Sequence, residues 1–234
     1  MKGVLFVISI ITCTNRQHCL KKVFQNYDRQ KVKKKELIIV LNRDNMDINK
    51  WKAEAIHYSN VSIFQLPETT TLGSCLNFAV KKAKYEYVAK FDDDDYYAPN
   101  YIEDSLSLFN KTGADIIGKR TIYMYFPDKK LLTIHVPNQE NRSKRYVAGS
   151  TFVIRKKVFN KVQFPDQKVG SDLYFLQRCA AIGLKVYSGN RFNYCCIRRD
   201  PVHHTWKKRP EKILERCKTV KRKVDDFRPF IVGN

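Results

Sequence analysis

The 234-residue chain is 43% hydrophobic and 12% aromatic, enough apolar mass for a large core, which excludes an intrinsically disordered chain. Lysine and arginine number 44 against 23 acidic residues, a formal net charge of +21 that fits nucleic acid, an anionic membrane surface or a polyanionic substrate without choosing among them. The seven cysteines are scattered, odd in number and without a Cys-x-x-Cys pair, so neither a zinc site nor a disulfide framework is indicated, and a reducing cytoplasm is the simplest compartment.

Residues 4–13 form a continuous apolar run, the pattern of a central parallel strand covered on both faces. The run has the look of a short signal sequence, but it leads into a polar Thr14, Asn15, Arg16 turn with no small-residue cleavage site and reads as the first core strand. No run approaches the roughly 18 apolar residues of a membrane-spanning helix. Residues 16–27 read as a helix with Leu20, Val23 and Phe24 on one side, residues 36–41 as a second strand, 47–56 as a short helix, and 61–66 as a third strand ended by Pro67. Thr71 is the expected cap of a helix running to Lys82 that buries Leu72, Leu76, Phe78, Ala79 and Val80. A fourth strand, residues 85–91, delivers Asp92, Asp93, Asp94 and Asp95, and a helix led by Pro99 follows. Strand–helix alternation from residue 4 to residue 109 predicts an α/β fold: a doubly wound, mostly parallel central sheet flanked by helices, with ligands bound beyond the carboxyl ends of the strands. Asn15, Asn42 to Asp44 and the aspartate cluster all lie at such ends, on one rim.

The second half is β-rich. Residues 116–126 and 130–136 read as a hairpin around Pro127, Asp128 and Lys129, and 138–145 as a polar basic loop. Residues 146–154 read as a strand broken at Gly149 and Ser150; 171–182 as a helix stopped by Gly183; 185–188 and 192–198 as late strands. Beyond Pro201, the tail puts Ile213, Leu214, Cys217, Val220 and Val224 on one face of a basic helix over residues 210–226. Such a helix either lies on an anionic membrane surface or packs on the domain.

Four adjacent carboxylates repel one another and lose stability unless a cation sits among them. A solvated acidic turn is the plain alternative, disfavoured because an apolar strand end precedes the cluster and a Pro-led helix follows it. Mg²⁺ or Mn²⁺ takes carboxylate oxygens and keeps water and substrate phosphates as its other ligands, so the cluster reads as a metal–diphosphate site.

The order of motifs over residues 4–206 resembles the family-2 glycosyltransferases of the GT-A fold. Residues 8–16 are similar to their opening strand and Tyr-Asn-Arg-type turn, residues 72–77 to their Gly-x-x-x-Asn helix start, and residues 91–99 to their Asp-x-Asp-Asp…Pro signature, the most specific of the three. The resemblance implies a donor-binding half over 1–110, an acceptor-binding half over 111–206, and a basic appendage over 207–234. It implies donor contacts from Thr12, Thr14, Asn15 and Arg16, from Asn42 and Asp44, from Gly73 and Asn77, and from Asp92 and Asp93. Asp94 is the implied direct ligand of Mn²⁺ or Mg²⁺, with Asp92 facing the ribose or the metal's water shell. His204, or its neighbour His203, is implied to complete the coordination in a loop closing with Trp206; a surface His pair and a core Trp are the plain alternatives. Gly149 and Ser150 are implied on the acceptor side. Asp172 falls where these enzymes carry a Glu-Asp pair, with Ser171 replacing the Glu, and is the implied general base; a first-turn helix Asp is the alternative.

Two departures stand out. The second strand ends in Asn42, Arg43, Asp44 rather than Asp-Asp, and Leu76 replaces a basic residue, so a phosphate contact expected there falls to Arg16, Arg120 or another basic residue. The expected activity is a metal-dependent, inverting transfer of sugar from a nucleotide donor, a UDP-sugar by expectation, to a hydroxyl of a cell-surface polymer, glycolipid or protein. The expected location is cytoplasmic, with peripheral attachment at the inner face of the membrane. Two other classes compete. A sugar-1-phosphate nucleotidyltransferase lacks its Gly-rich first loop here. A nucleic-acid-binding module fits the charge and Tyr123, Tyr125 and Phe126, but an acidic quartet repels phosphates.

Overall fold

The computed structural model describes residues 7–199 and 209–233. His203, His204 and Trp206 lie outside the described residues.

The first half builds β1 (Val7–Thr14), α1 (Leu20–Asp28), β2 (Lys34–Leu41), α2 (Ile48–Ala55), β3 (Val61–Gln65), α3 (Leu72–Lys82), β4 (Tyr87–Lys90), the two-residue β5 (Tyr96–Tyr97) and α4 (Tyr101–Thr112). The second half adds β6 (Ile116–Gly118), β7 (Ile122–Phe126), β8 (Leu131–His135), β9 (Arg142–Ser143), β10 (Val153–Arg155), α5 (Ser171–Ala181), β11 (Val186–Ser188), β12 (Tyr194–Ile197), α6 (Pro210–Leu214), β13 (Cys217–Lys221) and α7 (Arg228–Ile231).

An eight-stranded sheet runs β3-β2-β1-β4-β10-β6-β11-β9. Its β1–β2, β2–β3, β1–β4 and β6–β11 pairs are parallel, while β10 is antiparallel to both β4 and β6. The unbroken apolar runs of β1 and β2 follow from coverage on both faces. Ile8, Ile10, Leu37 and Ile39 point to one core with Phe24 of α1 and Leu106 of α4. Ile11, Ile38 and Val40 point to the other with Leu76 of α3 and Phe175 of α5. Winding outward from β1 to β3 and then returning to β4 on the other side of β1 opens a switch point, where ligands enter α/β sheets.

Local sequence accounts for several element starts. Thr71 caps α3 by accepting from the Ser74 N–H at 3.2 Å, and Asp47 caps α2 through Asn49 and Lys50. The expected first helix begins as a 3-10 turn, Gln17–Cys19, before α1.

Two expectations need correction. Residues 146–154 are not one strand: Gly149–Thr151 form a 3-10 turn, and only Val153–Arg155 enter the sheet. Nor is there a basic helix over 210–226. The tail makes the short α6, then β13, which pairs antiparallel with β8, then α7. It completes a second sheet, β13-β8-β7-β12-β5. Ile213, Val224, Phe227 and Ile231 are buried, and the Ile231 carbonyl accepts from Asn193 N–H at 2.7 Å. A strand paired through long-range contacts overrides the helical spacing, and the amphipathic helix on which membrane attachment rested is absent. Among the described residues no helix is long and apolar enough to cross a membrane.

Candidate active site

The carboxyl ends of β1, β2 and β4 open into one cleft of about 1100 Å³ that continues past the Gly149–Thr151 turn and the start of α5 to β7. The aspartate quartet forms its floor and is not a solvated turn: Asp93, Asp94 and Asp95 keep 3%, 9% and 4% of their surface. The repulsion expected of it is met by cations of the protein itself. The Arg16 guanidinium spans two carboxylates, with Nε 3.0 Å from Asp93 Oδ2 and Nη1 2.8 Å from Asp94 Oδ2. Thr14 Oγ1 also donates to Asp93. Burial works against the Arg16 charge, but Asp93 and Asp94 outweigh it and raise its pKa. Burial likewise raises the Asp93 carboxyl against the pull of Arg16.

Lys90 is the second internal cation. Only 5% exposed, it lies 2.6 Å from Asp92 Oδ1 and 3.2 Å from Asp172 Oδ2, so one ammonium joins the floor to the first turn of α5. Burial lowers its pKa, but Asp172 and Asp92 overcome that and raise it. Burial pushes the Asp172 carboxyl above the ordinary carboxylate range, with Lys90 pulling the other way. Asp172 Oδ1 is buried and has no hydrogen-bond partner among the described residues. Glycine at 149 makes this approach feasible, because a Cβ there would sit 1.9 Å from Asp172 Oδ2.

Tyrosine hydroxyls brace the two walls. Tyr97 Oη accepts from the Asp92 N–H at 2.8 Å and donates to the Ser150 carbonyl at 2.7 Å. Tyr194 Oη lies 2.6 Å from Ser150 Oγ and donates to Asp95 at 2.5 Å, and the Ile197 N–H donates to the other Asp95 oxygen. Burial, then Asp94 and Asp92, push Asp95 up to about 8.

Of the residues expected in the site, Thr14, Asn15, Arg16, Asn42, Asp92, Asp93, Asp94, Gly149, Ser150 and Asp172 line this cleft. Four do not. Thr12 is buried in β1, and Asp44 accepts from the Glu68 N–H. Gly73 packs on Pro165, where a Cβ would lie 1.8 Å from the carbonyl oxygen. Asn77 uses both amide atoms on the Phe164 backbone, at 2.8 and 3.0 Å. Gly73 and Asn77 thus anchor the segment leading to Asp172. Lys90 was overlooked; its signal was a lone lysine inside the apolar strand, two residues before Asp92.

Among the described residues no three His, Cys, Asp or Glu side chains converge as a closed metal cage. Asp92 and Asp94 both line the cleft, and one or two carboxylates are what a hard divalent cation uses when substrate phosphate and water fill its remaining positions. The donor set fits such a cation.

The fold has counterparts among solved structures. Residues 1–349 of S. aureus TarS superpose with a TM-score of 0.66 at 17% identity, covering 82% of this chain and 60% of that one. TarS 1–349 in complex with UDP-GlcNAc gives 0.67 at 18% identity, with 83% and 59% covered. Its complex with UDP gives 0.63 at 18%, with 84% and 62% covered. The chain therefore spans about three fifths of that protein piece, and at these identities the likeness is one of fold. A search of curated protein sequences gave no match. The family model described as Glycosyl transferase family 2 matches residues 9–163, well over half of the sequence. With that match and the GT-A architecture of the sheet, the chain belongs to glycosyl transferase family 2.

Proposed function

We propose that this glycosyltransferase moves a sugar from a UDP-linked donor to a hydroxyl of a polymer, glycolipid or protein, in one inverting, metal-dependent displacement. The observation that carries the reading is Asp172 Oδ1, a buried carboxylate oxygen without a partner, in a cleft shared with Asp92 and Asp94 and joined to them by Lys90. The UDP and UDP-GlcNAc complexes of TarS support the choice of nucleotide.

In this reading Asp94 and Asp92 would hold Mn²⁺ or Mg²⁺, which would supply positive charge where the diphosphate departs. Asn15 and Asn42, at the ends of β1 and β2, face the nucleoside. Asp172 Oδ1 accepts the proton of the acceptor hydroxyl as that oxygen bonds to the anomeric carbon. The bond from that carbon to the β-phosphate oxygen breaks, and its electron pair leaves with UDP. Lys90 holds Oδ2, so the base presents one defined oxygen. A single carboxylate suffices because an inverting displacement needs a base and no covalent intermediate. The elevated Asp172 pKa makes it a stronger base than an exposed aspartate.

Calorimetric titration of the full chain with UDP, with Mn²⁺ and with EDTA, tests the donor side: tight binding that depends on Mn²⁺ and loses that dependence in Asp94→Asn is expected. Absence of UDP binding in either buffer, or Mn²⁺-dependent turnover of a UDP-sugar that survives in Asp94→Asn, would overturn it.

A further inference from the structure

Two arginines that line the cleft, Arg120 and Arg216, are close enough to repel each other. Arg120 precedes β7 and Arg216 precedes β13, and both line the cleft beside Ile122 and Met124. Hydrogen bonds hold their backbones in this relation. The Val136 N–H donates to the Arg216 carbonyl at 3.0 Å, and Thr121 Oγ1 donates to the Val136 carbonyl at 2.7 Å. The β8–β13 ladder, with Cys217 opposite His135, locks the same register.

Elsewhere in the fold a partly buried arginine pairs with a carboxylate, as Arg16 does with Asp93 and Asp94 and Arg191 does with Glu140. Neither Arg120 nor Arg216 has one within salt-bridge distance among the described residues. Burial lowers the pKa of Arg120, and Arg216 lowers it further. An oxyanion between the two guanidiniums would relieve the repulsion between them. Two planar forks offer bidentate hydrogen bonds to phosphate or carboxylate. The Asp92–Asp94 floor, where the reading above seats the diphosphate, already has its own cations in Arg16 and Lys90.

We propose that Arg120 and Arg216 form an anion subsite for the acceptor, so that the acceptor is a sugar or polyol bearing a phosphate or carboxylate near its attacking hydroxyl. The proposal rests on the glycosyltransferase reading for the word acceptor, but the subsite itself is a binding property testable without turnover. The apolar Ile122 and Met124 beside the arginines suit the carbon skeleton of such a molecule.

The test is calorimetric titration of the full chain, saturated with UDP and Mn²⁺, with glucose 6-phosphate, glucuronate and glucose. The wild type is expected to bind one or both anions at least tenfold more tightly than glucose, and the two anionic arms separate phosphate from carboxylate. In Arg120→Gln/Arg216→Gln that preference should fall to within about twofold, the loss of two charge-assisted contacts, while the dissociation constant for UDP stays within about twofold. Arg216→Gln alone, at an exposed position that poses little risk to folding, should lose at least threefold. Equal binding of anions and glucose by the wild type, or an anion preference undiminished in the double variant, overturns the subsite. A parallel loss of UDP affinity also overturns it, by assigning the arginines to the donor. Failure of UDP to bind the wild type refutes the donor reading, and the same titrations without UDP still decide whether the arginines select anions.

Discussion

Where the aspartates line the cleft the protein answers its own charges. Arg16 closes on Asp93 and Asp94, and Lys90 closes on Asp92 and Asp172. Where Arg120 and Arg216 line the cleft, neither has a carboxylate within salt-bridge distance among the described residues, and Asp172 Oδ1 is buried without a hydrogen-bond partner among them. A matched network holds its members in place before any ligand arrives, which is the preorganisation that electrostatic catalysis requires. Unmatched groups work the other way, since each raises the energy of the empty site and a ligand of the right charge or hydrogen-bonding type lowers it. The difference marks where this protein is finished and where its substrate completes it.

Asp172→Asn has the largest expected effect. Transfer should slow by about 10²- to 10⁴-fold, the range for losing a general base, with UDP affinity nearly unchanged. A matching fall in UDP binding would place Asp172 with the donor network and erase the contrast. Because a base must be ionised, and burial raises this carboxyl, kcat/KM should fall as pH drops through a value above the ordinary ~3.9 of aspartate. That limb should be missing from the residual activity of Asp172→Asn.

The second sheet rests on the tail, and Ile231→Ala measures how firmly. Ile231 is fully buried against the second sheet, so the substitution should cost about 2–5 kcal/mol in chemical denaturation. An unchanged denaturation midpoint would make the tail a loose appendage.

Arg16→Gln sharpens the donor side. It removes the guanidinium that bridges Asp93 and Asp94; the Arg16 side chain is 23% exposed, so the loss should fall below the figure for a fully buried pair, at about 2–3 kcal/mol. Mn²⁺ should then raise the melting temperature of the variant more than that of the wild type, because the metal takes over the missing charge. Equal stabilisation of both by Mn²⁺ would remove Asp94 as its ligand.

The smallest effect belongs to Thr71→Ala, which removes the α3 cap and a hydrogen bond to Asp166. A loss of about 1 kcal/mol is expected from thermal melts. Asp166 precedes Asp172 in the segment anchored by Gly73 and Asn77, so a drop in transfer without a change in melting would reveal that α3 also positions the base.

The first half of the chain was legible because its signals are local. Apolar runs in β1 and β2 record burial on two faces, Thr71 and Asp47 mark helix starts, and the aspartates follow the end of β4. The residues that misled did so for physical reasons. Ile213, Cys217, Val220 and Val224 recur at helical spacing, yet Cys217–Lys221 gains more from pairing with an open strand edge of β8 than a helix offers. Gly73 and Asn77 stand where a donor contact was expected, but close packing on residues 164–167 claims them. Gly149 and Ser150 read as a break within a strand; a turn forms there because Asp172, distant in sequence, needs the space a side chain would fill.

By itself the sequence determined the α/β class, the order of the first strands and helices, the carboxylate cluster and the excess of positive charge, all consequences of composition and short-range periodicity. Only the tertiary structure decided which charges meet. Lys90 reaches Asp172 across 82 positions because β4 and α5 flank the same cleft, and Arg216 joins Arg120 because β13 pairs with β8. Electrostatic pairing depends on distance in space, and distance along the chain carries almost no record of it.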